Sequence, residues 1–206
     1  MKYFLKSILY SLQIMLVAPL IIPFFLTNEK QVILADLNRW LDIFDWEKKS
    51  DKINLLNLLW KNKEFRNLFY FRIKKGNFMA KISANFLNLF YPGCPSLFMD
   101  SSCKVGAGLF IQHGFSSIIM ADIGENCWIN QQVTIGYKDK SGRPKIGNNV
   151  RITAGAKVIG DITIGDNVTI GANAVVVKNV PDNCVVVGVP AYIVKKNGLK
   201  VKEELV

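Results

Sequence analysis

From Val105 onward an apolar residue returns at every sixth position: Val105 and Ile111, then, past an exception at Ser117, Ile123, Ile129 and Ile135. Five extra residues follow, and the count resumes at Ile146, Ile152, Val158, Ile164, Ile170 and Val176. Glycine often stands directly after the anchor, as in IGENCW, IGNNVR, IGDNVT and IGANAV. A β-sandwich does not hold one fixed period over so long a run. A period of six predicts a parallel β-helix, in which each step is a short strand plus a turn, three steps close a triangular coil, and the anchor fills the inside. The extra residues fall in YKDKSGRPK, 137–145, whose Gly, Pro and four basic residues describe a projecting loop.

Upstream the period changes. Val32–Trp40 and Leu55–Ile73 carry apolar residues at three- and four-residue steps with charges between, which predicts helices across 28–92. Tyr91-Pro92-Gly93-Cys94-Pro95 ends them. The first stretch, 3–27, has Lys6 as its one charged residue and is long enough to cross a bilayer core of about 30 Å. Lys2 and Lys6 favour a cytoplasmic N-terminus, and Pro19 and Pro23 break the helix part-way. The expectation is a re-entrant or in-plane helix; the competing readings are a buried helix or a subunit contact. The domains expected are therefore a hydrophobic segment 1–27, a helical domain 28–92, a β-helix 93–192 and a basic tail 193–206.

Charge sharpens this division. Of the net +10, residues 1–90 supply 14 Lys/Arg against 7 Asp/Glu, and the rest 12 against 9. The excess sits beside the apolar segment, with Lys48, Lys49 and Lys52 placed to meet anionic headgroups. No run of basic residues interleaved with aromatics marks a nucleic-acid channel, so no nucleic-acid partner is expected. A membrane surface or a phosphate-bearing ligand is the expected partner, and the location is cytoplasmic, at the inner face of the plasma membrane. The four cysteines lack C-x-x-C spacing, and with one histidine they make no familiar zinc site, so no metal is expected.

That single histidine is His113, in GLFIQHGFSS. Histidine is the side chain whose charge changes near neutral pH. One coil is 18 residues, so positions 18 apart, corrected for the insertion, lie above one another. Over His113 come Gln131, Ala154 and Ala172. A column that runs from a base through an amide to methyl groups leaves a shallow groove for a long, thin ligand, with the histidine at its end. The insertion interrupts the coil near the same level, where a loop on a rigid scaffold suits binding.

The residues of this region resemble the hexapeptide-repeat acyltransferases, and among them the serine acetyltransferase branch. The likeness covers 65–195, most specifically in KVGAGLFIQHG, QQVTIGY, SGRPKIGNNVRITAGAKVIGDITIGDNVTIGANAVVVKNVP and VVVGVPAYIV. It implies a left-handed β-helix preceded by an α-helical domain, a homotrimer or dimer of trimers with sites between subunits, and acetyl-CoA as donor. It places the catalytic histidine on His113 and the coenzyme site on Ala154, Gly155 and Ala172, with Gly136 near the thioester and Lys195 beyond the repeats. Departures are also plain. Gln112 replaces an aspartate, Arg143 remains but the histidine after it is gone, and the aspartate partner falls on Phe98, with Asp100 two residues on. Gln112, Gln131 and Arg143 are the substrate-binding candidates, and Asp100 is the candidate to orient the ring.

Such departures, beside a basic and apolar N-terminus, lead to an expectation of acetyl transfer to a sugar hydroxyl of a lipid-linked saccharide in cell-surface polysaccharide synthesis. The alternative is serine O-acetyltransferase. Either way His113 takes the acceptor's proton as a general base, and backbone N–H groups near Gly136 are candidates to hold the oxyanion. Position disfavours a covalent acetyl-cysteine: Cys103 and Cys127 stand four residues past Met99 and Ile123, a place that faces inward.

Overall fold

A computed structural model of the chain describes residues 2–47 and 49–205; Lys48, named above for headgroup contact, lies outside them. Two compact units divide between Gly93 and Cys94.

The first unit is helical: α1 (Lys2–Val17), a 3-10 turn (Ala18–Ile21), α2 (Ile22–Leu26), α3 (Lys30–Phe44), α4 (Asp51–Lys61), α5 (Lys63–Ile73) and α6 (Phe78–Phe90). The long periodic stretch Leu55–Ile73 is two helices, because Asn62 leaves helical geometry and its side-chain oxygen caps α5 by accepting from Phe65 N–H at 2.8 Å. Asn77 caps α6 in the same way, accepting from Ala80 N–H. Trp40, Leu55, Leu58, Phe65, Leu68 and Phe69 form the centre of the core. Inside it Arg72 of α5 makes a two-armed ion pair with Asp36 of α3, at 2.8 and 3.1 Å. Tyr70 donates to Tyr91 O, and burial pushes its phenol up to about 12.

The apolar N-terminal stretch packs on this unit along one edge. Val17, Leu20, Pro23 and Phe24 are buried, Tyr91 Oη donates to Leu16 O at 2.7 Å, and Asn57 donates to Tyr10 Oη. The prolines fall where the 3-10 turn interrupts the helix and where α2 begins, places that lack an N–H requirement.

The second unit is a left-handed parallel β-helix. Its five-stranded face stacks Leu97–Met99, Ser117–Ile119, Thr134–Gly136, Lys157–Ile159 and Val175–Val176. The three-stranded face holds Asp122–Ile123, Lys145–Ile146 and Thr163–Ile164. The seven-stranded face begins with Phe110–Ile111, Trp128–Ile129, Arg151–Ile152, Thr169–Ile170 and Cys184–Val187, all parallel. Every anchor from Ile111 on is buried. Glycine follows the anchor on the three-stranded face because coils approach there: a Cβ on Gly124 would lie 2.7 Å from the Gly147 backbone, and one on Gly147 2.9 Å from Gly165. At the next corner Asn149, Asn167 and Asn183 adopt positive φ, and their amides hydrogen bond coil to coil at 3.2 and 3.0 Å.

Two expectations are corrected. Ser117 is not an anchor of the ladder; Ile119 pairs with Ile135 and so takes that rung, while buried Ser117 uses its hydroxyl to accept from Val133 N–H. The turn after Ile111 is two residues longer than the repeat, and the one before Ile123 is two shorter, which keeps the coil at its overall length. The basic tail is instead a hairpin, Tyr192–Lys196 and Leu199–Glu204, antiparallel on the seven-stranded face. Its turn is Asn197-Gly198, both at positive φ, the sequence that favours a two-residue hairpin loop.

Candidate functional site

The coil has three corners, and an enlarged turn in the first coil marks one of them. Elsewhere on this corner the left-handed residue is the third past the anchor: Gln132, Gly155 and Asn173. In the first coil it is the second, His113 at φ 51°, and a further positive φ follows at Ser116. The enlarged turn leaves the imidazole exposed, and no hydrogen bond to it is formed among the described residues. Its backbone oxygen accepts from Phe115 N–H at 2.7 Å.

The register Ile111–Ile129–Ile152–Ile170 stacks the next residues of this corner in order. Gln131, Ala154 and Ala172 therefore lie in one column, joined by Gly155 N–H to Gln131 O at 3.0 Å and Asn173 N–H to Ala154 O at 2.9 Å. In the first coil the same bond, Gln132 N–H to Phe115 O at 3.1 Å, sets Phe115 under Gln131 and leaves His113, expected there from the count, in the extra length of the turn just before it. Gly155 has no room for a Cβ, which would strike Asn173 Oδ1, so the corner stays tight and low there. The side chains of this column shrink from amide to methyl along the stack. Gln131 Oε1 is buried without a hydrogen-bond partner, and so is Oδ1 of the adjacent Asn130. A buried acceptor left open costs stability unless something donates to it.

Gln112 is fixed beside them. Its Oε1 accepts from Asn130 Nδ2 at 3.0 Å and from Trp128 Nε1 at 3.2 Å. Trp128 packs edge-on against Phe110, with Arg151 stacked 4.6 Å from its ring. Asn130 and Trp128 were absent from the sequence reading, although Asn130 stands one coil above Gln112, so the same column count contains it.

The remaining candidates lie elsewhere. Loop 137–145 leaves from the far end of the strand Thr134–Gly136, one corner on from Gln131. A three-residue strand at about 3.3 Å per residue separates the two corners by about 10 Å. Gly136 closes that strand, and Asp100 occupies the same loop corner, its N–H donating to Ile119 O and its carboxylate accepting from Ser102 N–H. Within one chain Asp100 is thus not placed to orient His113. Arg143, expected on substrate, is engaged at the loop's base, where it holds Asp122 at 2.7 Å and Ser102 Oγ at 2.7 Å. Lys195 is exposed on the hairpin strand opposite Val185. Cys103 and Cys127 face inward, and burial pushes the Cys127 thiol up to about 11.

Comparison with known proteins gives this corner its context. Residues 143–178 match the model of the bacterial transferase hexapeptide (six repeats). Serine acetyltransferase from Neisseria gonorrhoeae superposes with a TM-score of 0.65 at 31% identity, over 84% of this chain and 68% of that one. The chain belongs to the hexapeptide-repeat transferases, on the serine acetyltransferase-like branch. Serine acetyltransferase from Brucella abortus in complex with coenzyme A is a further member of similar fold, with a TM-score of 0.62 at 29% identity, covering 83% of this chain and 69% of that one. Serine acetyltransferase from Staphylococcus aureus is 50% identical over 103 residues, 48% of this chain and 48% of its own length. The chain spans about half the length of the curated relatives it matches.

These relatives overturn the sugar-hydroxyl expectation, since the branch members sharing half of the aligned residues are serine acetyltransferases. The departures at Gln112, Phe98 and the position after Arg143 do not outweigh this likeness. They concern three side chains, whereas the likeness extends over the whole coil.

Proposed function

We propose that the protein is an acetyl-CoA-dependent serine O-acetyltransferase that transfers the acetyl group directly, with His113 as general base. The observation that carries this reading is the enlarged turn that presents the single imidazole, exposed, beside the end of the Gln131–Ala154–Ala172 column. Small side chains at Ala154 and Ala172, with Gly155 between coils, fit a long pantetheine arm lying along the corner. When bound, acetyl-CoA supplies an acyl carbon already activated as a thioester.

His113 takes the proton of the serine hydroxyl as its oxygen bonds to that carbon, and returns the proton to the departing thiolate. Gln131 Oε1 and Asn130 Oδ1 are open acceptors suited to the ammonium of serine, which has three N–H bonds to donate. That gives an amino-acid acceptor a physical basis despite the lost histidine after Arg143. The relatives' shared chemistry, acyl transfer on this same coil, supports the donor. A homotrimer fits the placement of parts: within one chain His113 and the loop 137–145 stand on different corners, and neighbours around a threefold axis bring unlike corners together. The donor makes the cytoplasm the place of reaction.

The test follows thiol release from acetyl-CoA with L-serine, L-threonine or L-homoserine as acceptor, and O-acetylserine by mass spectrometry. Saturable turnover with serine, at least about tenfold above the two analogues in kcat/KM, is the expected result. Thiol release that does not depend on serine would remove the proposal.

A further inference from the structure

Helix α6 has three arcs at 3.6 residues per turn. Ala80, Ala84 and Leu87 face the helical core. Lys81, Asn85 and Asn88 form a polar arc. Between them, Phe78, Met79, Ile82, Phe86, Leu89 and Phe90 are all exposed, Leu89 by 75% and Phe78 by 73%. This exposed apolar arc is about 120° wide, as broad as the stripe an amphipathic helix usually buries. α2 packs beside α6 and exposes Ile22 and Phe25, so the surface continues across two helices. Soluble monomers rarely leave so large a contiguous apolar patch open.

The charges around it select the occupant. Residues 65–99 contain no acidic residue, and neither do residues 2–28. Lys74, Lys75 and Lys81 are exposed beside or on α6, and Lys52 lies 5.4 Å from the ring of Phe25. Two copies meeting through this face would bring like charges together. An anionic bilayer offers the opposite sign and an apolar interior at the depth these side chains reach.

We infer that α6 and α2 dock in the plane of an anionic lipid surface, with Phe86, Leu89 and Phe25 in the acyl boundary and the lysines among the headgroups. The 3-10 turn and α2 do not cross the bilayer in this arrangement, because Leu20, Pro23 and Phe24 are already buried in the protein's own helical unit.

The test floats the full chain on vesicles of 30% phosphatidylglycerol in phosphatidylcholine, and on phosphatidylcholine alone. Anionic vesicles should bind it at least about tenfold more tightly, with 0.5 M salt weakening binding. The variant F86E/L89E keeps the buried arc, so its thermal unfolding should match the parent while vesicle binding falls about 100-fold. K81E reverses one charge and should weaken binding about 30-fold. Thiol release in solution is read in parallel, so loss of acetyl transfer and loss of docking are distinguished. Equal flotation by parent and F86E/L89E, or no preference for anionic vesicles, overturns the inference. So does a parent that stays off vesicles and pairs through this face, shown by a mass that falls in F86E/L89E.

Discussion

The helical unit and the β-helix hold their residues in opposite ways. In the β-helix each coil repeats the contacts of the last: Ile111, Ile129, Ile152 and Ile170 stack in a row, and Asn149, Asn167 and Asn183 link the turns. Such stability is shared among neighbours, as in other repeat folds. In the helical unit the polar core contacts occur once and join residues far apart in sequence. Asp36 meets Arg72, Arg66 donates to Pro92 O, and Tyr70 to Tyr91 O. The lesson is that a repeat tolerates one irregular corner, which is where His113 sits, whereas a core made of single contacts tolerates little change.

The sharpest way to test that tolerance is to empty the irregular corner. His113→Ala should lower turnover by about 10²–10⁴, the usual range for a general base, with the assembly and coenzyme affinity unchanged. Steady-state kinetics beside calorimetric acetyl-CoA titration separates the two. Near-parental turnover would take the base role from His113.

The helical unit should respond in the other direction, losing structure first. Asp36→Ala leaves the Arg72 guanidinium buried without its carboxylate, and breaking such a pair costs about 3–5 kcal/mol. Denaturant unfolding should show a separate, earlier transition of the helices while the β-helix transition stays put. A single unshifted transition would mean that the pair is not what holds α3 to α5.

A smaller effect belongs to the β-helix at alkaline pH. An ordinary thiol ionises near 9, whereas burial makes the Cys127 thiol hold its proton to about 11. The unfolded chain loses its proton first, so this contribution is complete below pH 9 and is lost as pH rises toward 11. Two units correspond to about 2–3 kcal/mol. Cys127→Ala should be less stable at pH 7 yet flatter between pH 9 and 11. An equal slope in both proteins would show that other groups, such as Cys103 and Cys184, which burial also raises, set the decline.

How much of this was legible follows from the same contrast. The β-helix can be read because every anchor is a local event at a fixed step, and counting by coils stacks Gln131, Ala154 and Ala172 as the register does. It misses the first level, where the lengthened turn sets Phe115 rather than His113 under Gln131. The one anchor that is neither valine nor isoleucine, Ser117, was itself a signal of the enlarged turn, because a slipped rung must place something else at the counted position. Counting gives the level of the loop 137–145 but not its corner, so the loop was read as a neighbour of His113. The open acceptors on Gln131 and Asn130 depend on side-chain orientation, which no period encodes. In the helical unit Asp36 and Arg72 are 36 residues apart, and nothing in the pattern pairs them.

The slightest predicted change bears on why the corner is irregular at all. At φ 51° His113 lies in the left-handed region, where a residue with a Cβ pays about 1–2 kcal/mol that glycine avoids. Asparagine eases this strain locally, and at Asn149 and Asn167 it also gains a hydrogen bond to the next coil. The His113 imidazole gains neither, since no hydrogen bond to it is formed among the described residues. His113→Gly should therefore stabilise the β-helix, by about 0.5–1 kcal/mol once the extra freedom of glycine in the unfolded chain is subtracted. His113→Ala keeps the Cβ and should show no such gain, although both variants lose the base. Thermal unfolding of the three proteins side by side decides it. A glycine variant no more stable than the alanine one would mean that the turn is shaped by Ser116 and Ser117 instead, and that the histidine carries no strain for its function.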